Sequence, residues 1–423
     1  MNKQKLTIDF IRDNYVSCGS IRHDVISNRL QLRMAEKPDE QGRSQRARGT
    51  EWREMTTQDI NTLVCECAET CGASITSREV LTALQSSLVP DVHPLRDWIA
   101  GCPEYRPLDM PDFIGMMADS VHLADPSPKR EQLWRTCFRK WFVGMVAGWL
   151  RDEVVNHQVL VLIGRQGIYK TTWLEHLLPP ALRPYCSKLA NTRDLNKDER
   201  LRIAECALIN MDEIDSMTPR ELNQLKSLIT ASDVNERAAY AYTKERRVRL
   251  ASFCASGNRR DFLSDMTGNR RWLPFEVESI DSPFDRIVLY DYLYAQARYL
   301  VENSRFAYWF DLDEISVLEE HNSAFRAMAG EEELLPLLFA IPAEGYGEFM
   351  TTAQISERLT TYGNIKQPMP LNRLGMVIGQ TGYKAVRKKV DGIPIRGWIV
   401  YQRTADELKI VRRNDSPLHE TNG

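Results

Sequence analysis

Val159-Leu160-Val161-Leu162-Ile163-Gly164-Arg165-Gln166-Gly167-Ile168-Tyr169-Lys170-Thr171-Thr172 decides how this chain folds. The first five residues are aliphatic without interruption, which predicts a strand buried on both faces, as in a parallel sheet. Trp173-Leu174-Glu175-His176-Leu177-Leu178 then reads as a helix stopped by Pro179-Pro180. Strand, glycine-containing loop, lysine, hydroxyl and helix, in that order, form the setting of a phosphate-binding loop. Its backbone N–H groups face phosphates, Lys170 reaches the β- and γ-phosphates, and the Thr171 hydroxyl binds Mg²⁺. The expected nucleotide contacts are Gly164, Gln166, Gly167, Ile168, Tyr169, Lys170, Thr171 and Thr172, and the expected ligand is ATP. The loop departs from G-x-x-x-x-G-K-[ST] at Tyr169, where the second glycine belongs. That glycine permits a backbone conformation costly for other residues, so Gly167 is expected to absorb part of the turn.

Two further apolar runs end in polar residues. Cys206-Ala207-Leu208-Ile209-Asn210-Met211 leads into Asp212-Glu213. Here Asp212 is expected to hold Mg²⁺ and Glu213 to polarise the attacking water. The plainer reading, an acidic pair capping the next helix, is weakened because Thr218-Pro219 already supplies a cap. Leu250-Ala251-Ser252-Phe253-Cys254-Ala255 leads into Ser256-Gly257-Asn258, where Asn258 is expected to sense the γ-phosphate or orient water. Gly268-Asn269-Arg270-Arg271-Trp272 follows, and Arg270 or Arg271 is the candidate for an arginine given to a neighbouring subunit's transferring phosphoryl group. Buried strands alternating with helices make an α/β domain over residues 129–322.

The chain has 423 residues, 43% hydrophobic and 27% charged, a globular composition with room for several domains. No apolar run is long enough to span a bilayer, and no signal-peptide core follows Met1-Asn2-Lys3-Gln4-Lys5, so neither membrane nor export is expected. Nine scattered cysteines fit a reducing cytoplasm better than a disulfide framework. Cys65, Cys67 and Cys71 share a predicted helix over 59–71 and read as packing rather than as zinc ligands. The net charge of −3 argues against a uniformly cationic surface but leaves room for local basic patches.

Residues 1–128 form a mixed α and β region, with a strand pair at 21–26 and 29–32, an exposed loop at 36–50 and helices at 59–69 and 77–88. Residues 134–146 read as an amphipathic helix. Residues 237–249 alternate Tyr and Ala and then turn basic, predicting a hairpin whose tip carries Lys244, Arg246 and Arg247. Aromatics beside cations suit single-stranded DNA, although a solvated charged hairpin reads equally well. Residues 331–410 give a capped helix at 351–359, a second at 371–379 and an alternating pair at 383–390 and 395–401. That order is a winged helix, with Lys384, Arg387, Lys388 and Lys389 on the wing suited to DNA backbone. Winged helices also dock proteins. Residues 411–423 form a polar tail expected to be disordered.

With these motifs in order, the middle of the chain resembles the virulence-associated protein E family of phages and bacterial mobile elements, related to superfamily-three and poxvirus-type primase-helicases. The resemblance rests on Phe138-Arg139-Lys140-Trp141-Phe142-Val143-Gly144, the phosphate loop, Asp212-Glu213, Leu225-Lys226, the 237–249 hairpin, Ser256-Gly257-Asn258 and Gly268-Asn269-Arg270-Arg271-Trp272. It implies an AAA+-like ATPase assembled as a homo-oligomer, a hexameric ring, that moves along DNA. Some members carry a primase domain upstream. Residues 1–128 show no primase acidic triad, so any primase would be a separate partner. The expected activity is a DNA helicase or replication-initiation ATPase acting on single-stranded and fork or origin DNA. The alternative is an ATP-switched DNA-binding regulator that does not translocate.

Overall fold

The computed structural model describes residues 3–33, 52–189, 197–236, 245–263, 269–303, 305–326, 330–343, 346–366, 368–390 and 393–408. They belong to two compact units, 1–325 and 326–423.

A six-stranded sheet organises the first unit, in the order Val121–Leu123, Trp272–Ile280, Val159–Ile163, Ser252–Gly257, Leu208–Met211, Cys186–Leu189. Five strands are parallel, and Val121–Leu123 joins one edge antiparallel. The three strands legible in the sequence lie side by side and are buried throughout. Burial on both faces is what makes them unbroken apolar runs. The connection leaving Val159–Ile163 crosses to the Cys186–Leu189 edge, whereas the one leaving Ser252–Gly257 crosses back to Trp272–Ile280. Adjacent strands whose connections part in this way open a crevice at their C-terminal ends.

Helix Pro128–Leu150 starts at Ser127, whose side chain accepts the Arg130 N–H, with Pro128 in its first turn. Rather than amphipathic, it is buried on nearly every face beyond Trp134. The Trp141 indole donates to the Phe253 carbonyl at 3.1 Å and the Trp149 indole to the Ala207 carbonyl at 3.3 Å. The aromatic motif at 138–142 therefore anchors the sheet.

The predicted N-terminal strand pair forms as Ile21–Asp24 and Arg29–Leu32, extended by Arg53–Glu54 and Asp91–Val92. Helices Thr57–Cys71 and Ser77–Leu84 each open with a reciprocal threonine capping box. The expected division near residue 128 is not a structural boundary. Ile26, Leu95, Ile99 and Ile114 share one core with Trp134, Phe142 and Leu160. The fully buried Asp24 accepts the Tyr185 hydroxyl at 2.7 Å and the Gln31 amide at 3.1 Å.

The second unit runs helix Gly330–Leu338, strands Phe339–Ala340 and Glu348–Met350, helices Thr352–Gly363 and Leu371–Gln380, then the hairpin Lys384–Val390 and Ile393–Gln402. Thr351 caps the second helix by accepting the Gln354 N–H. The two later helices and the hairpin lie where the sequence places them. The loop at 36–50 and the tail from 411 lie outside the described residues. No helix among the described residues is long and apolar enough to cross a membrane.

Candidate functional site

The C-terminal ends of the three central strands meet at a cleft of about 330 Å³ lined by Gln166, Gly167, Tyr169, Lys170, Thr171, Thr172, Asp212, Glu213, Ser256, Gly257 and Asn258. Residues far apart in sequence are thereby brought together. Lys170 is buried, and its Nζ donates to the carbonyls of Gly164 and Arg165, both at 2.7 Å, and to Asn258 Oδ1 at 3.3 Å. Burial pushes its pKa below the usual lysine range, while Asp212 and Asp215 pull it back up. Its charge therefore sits in a partly desolvated place, where an added anion is attracted more strongly than in water.

Thr171 Oγ1 donates to Asp212 Oδ1 at 2.9 Å and lies 3.2 Å from Ser256 Oγ, which itself donates to Asp212 Oδ1. Two hydroxyls and a carboxylate converging on one point are hard oxygen donors, the set a Mg²⁺ ion accepts alongside phosphate and water oxygens. These residues fit the ion. Asn210, buried on the strand two residues before Asp212, donates to the Thr171 carbonyl at 3.4 Å. Glu213 is exposed in the cleft and holds a left-handed backbone, φ +53°.

The loop solves its missing glycine differently from the sequence expectation. Gly167 takes φ +88°, but Tyr169 also adopts the left-handed conformation, φ +67°. A non-glycine residue there costs roughly 1–2 kcal/mol, so Gly167 does not relieve Tyr169. Gly164 and Ile168 do not line the cleft. A Cβ on Gly164 would run into the Val277 carbonyl and come within 3.1 Å of Ile168 Cδ1, so both residues brace the loop from beneath.

Sequence reasoning missed two contributors. Ser256 completes the oxygen cluster. Asp215 accepts the Asn258 N–H at 3.1 Å and pairs with Arg259 at 3.5 Å, locking the end of one strand to the turn after another. Ser256 stood in a quoted motif, but a serine inside an apolar strand was the only signal available.

Arg270 and Arg271 stand elsewhere. Trp272, which follows them, pairs with Val159 at the start of the strand that ends in the loop. At roughly 3.3 Å per residue they lie about 16 Å along the sheet from their own cleft. They border a separate hollow of about 280 Å³ with His157, Gln158 and Thr230.

Strands Asp233–Glu236 and Glu245–Val248 pair antiparallel as the hairpin predicts, but Arg246 and Arg247 are not at its tip. Arg246 and Arg247 lie on the returning strand, opposite Asn235 and Val234. Arg246 pairs with Asp233 at 2.8 Å and stays exposed. Arg247 is committed to Glu205 at 2.6 Å and to the Ile26 carbonyl, a poor arrangement for gripping DNA. Lys244 lies outside the described residues. In the second unit Lys384, Arg387, Lys388 and Lys389 are all exposed along the strand Lys384–Val390.

Residues 123–327 match the virulence-associated protein E-like domain. The virulence-associated protein E-like domain covers just under half of the chain, beginning at the antiparallel edge strand and ending where the first compact unit ends. It is the family expected from the sequence. No curated protein matches the chain. Among solved structures, the A form apo structure of the NrS-1 C terminal region is 12% identical, covering 93% of this chain and 99% of that one, with a TM-score of 0.43. Another apo structure of that region is 11% identical, covering 90% and 96%, with a TM-score of 0.44.

Proposed function

We propose that this protein hydrolyses Mg-ATP and uses the cycle to move along DNA, as a helicase or initiation ATPase of a mobile element. One observation carries the reading: hydrogen bonds join Lys170 to Asn258, and Thr171 to Asp212 and Ser256, around one cleft at the ends of parallel strands. Numbered along the chain, the parallel strands are ordered 5-1-4-3-2, which fits the AAA+-like core implied by the resemblance.

In this reading Lys170 leaves the loop carbonyls to neutralise the β- and γ-phosphates. Thr171, Asp212 and Ser256 would hold Mg²⁺, which would offset charge on the phosphate oxygens. Asn258 orients a water, and Glu213 accepts its proton as oxygen attacks phosphorus and the bond to ADP breaks. Arg270 or Arg271 comes from a neighbouring copy in a hexameric ring. Their distance from their own cleft supports donation across an interface. Exposed Arg246, with Lys244, contacts single-stranded DNA, and the second unit acts as a winged helix whose Lys384, Arg387, Lys388 and Lys389 hold fork or origin DNA. The protein works in the cytoplasm, with any primase supplied by a partner.

The test is strand displacement on a forked duplex with Mg-ATP, comparing the parent with Lys170→Ala. Displacement by the parent and none by the variant is expected. ATP hydrolysis without displacement would favour the ATP-switched regulator, and absence of hydrolysis would sink both readings.

A further inference from the structure

Tyr169 is an odd residue to find in a phosphate loop. It holds the left-handed backbone that glycine adopts freely, yet its ring gains little from burial, being 42% exposed. Its hydroxyl makes no hydrogen bond to a described residue. The side chain therefore contributes little to stability while occupying a position that disfavours it. Strain kept at a site without a packing gain points to function.

A second ring stands beside it. Phe284, in the segment after Trp272–Ile280, is 70% exposed, although phenylalanine is among the residues most often buried. Its centroid lies 6.2 Å from that of Tyr169 with the ring planes at 78°, and 5.4 Å from the His176 ring. Tyr169 itself lines the phosphate cleft. Two exposed rings nearly at right angles offer a floor and a wall. A flat aromatic group would stack on one and meet the edge of the other.

We propose that Tyr169 and Phe284 form the shelf that holds the purine base of the bound nucleotide. The proposal rests on the nucleotide reading of the adjoining cleft and names the residues that read the other end of the same ligand. The occupant is a purine base because a nucleotide with its phosphates in the cleft carries one flat aromatic group, and the shelf is continuous with that cleft through Tyr169. The residue replacing the second glycine then exchanges backbone ease for base contact.

The experiment compares two probes by titration calorimetry with Mg²⁺ present: a non-hydrolysable ATP analogue and inorganic tripolyphosphate, which has the phosphates and no base. Tyr169→Gly and Phe284→Ala should each weaken the analogue by roughly 5- to 100-fold, the range of a base–aromatic stack. Tripolyphosphate affinity should not fall in Phe284→Ala, and Tyr169→Phe should bind the analogue like the parent. If the variants weaken both probes equally, the rings act on the loop's shape and the shelf is wrong. If they leave both probes unchanged and alter the sedimentation of the assembly, the rings are a contact between copies and the shelf is again wrong. If the parent binds neither probe, the nucleotide reading itself has failed, a result separate from the other two.

Discussion

Arg249 closes the basic run of residues 244–249, yet only 1% of it is exposed. Its guanidinium donates to the carbonyls of Asn156 at 2.7 Å, Ala251 at 3.0 Å and Ile229, and stands 4.9 Å over the Phe253 ring. No carboxylate pairs with it among the described residues. Burial lowers its pKa from 12.5 to about 9, so the group is still cationic at neutral pH. Truncation in Arg249→Ala leaves three buried carbonyls without that donor, at about 1 kcal/mol or more each, and opens a void that adds to the loss. The expected destabilisation is about 3–5 kcal/mol, far above the roughly 0.5 kcal/mol of an exposed substitution. Arg249→Met fills the void without restoring donors, so it should recover only part of the loss. Urea unfolding followed by intrinsic fluorescence measures both. A change under about 0.5 kcal/mol in Arg249→Ala, together with weakened DNA binding, would refute the internal role and make Arg249 a DNA contact instead.

Glu213→Gln should still bind nucleotide but hydrolyse it about 10²–10⁴-fold more slowly, while Ser256→Ala should raise the Mg²⁺ needed for half-maximal turnover by roughly tenfold. Parent-like hydrolysis by Glu213→Gln would remove that residue from its role. Arg270→Ala and Arg271→Ala should bind nucleotide yet turn over slowly, and mixing either with Glu213→Gln should restore part of the activity. A fully active monomer in sedimentation would end the idea of donation between copies. Burial holds His93, His157 and His321 below the ordinary imidazole value of 6.5. Because they bind protons more weakly folded than unfolded, they take up protons on unfolding, so their contribution is fully present above pH 6.5 and is lost as the pH falls below it. The unfolding temperature should therefore drop on acidification. His93→Asn, which keeps an acceptor for the Arg96 N–H, should make the drop shallower, and an unchanged slope would count against His93.

The central strands and the ends that carry Lys170, Asp212 and Asn258 were legible because burial on both faces writes itself as an apolar run ending in polar residues. The edge strands were not. Cys186–Leu189 and Val121–Leu123 are short and partly exposed, so their composition carries no period. The sequence predicts an amphipathic helix over 134–146, whereas the helix runs from Pro128 to Leu150 and buries nearly every face, Lys140 included. Lys140 is tied to Glu314 at 2.6 Å and to the Trp309 carbonyl at 2.9 Å. The same limit applies to Arg247 and Arg249: charge is visible in a sequence, but the partners that absorb it are not. Tyr169 could be flagged from the motif, but only the backbone shows that it takes the glycine's conformation.

The shared core and the Asp24–Tyr185 bond bear on how such a protein can be inherited. The stretch recognisable as a family runs over 123–327, but the stretch that can fold without bared apolar surface is longer. Cut at residue 123, the domain would lose Ile26, Leu95, Ile99 and Ile114 from its interior and leave Tyr185 without its buried acceptor. An exchange of this domain at the edges of its matched span would therefore not carry over a unit that folds. The unit that folds reaches back to the N-terminal strands, so those strands should accompany the domain wherever it is inherited intact.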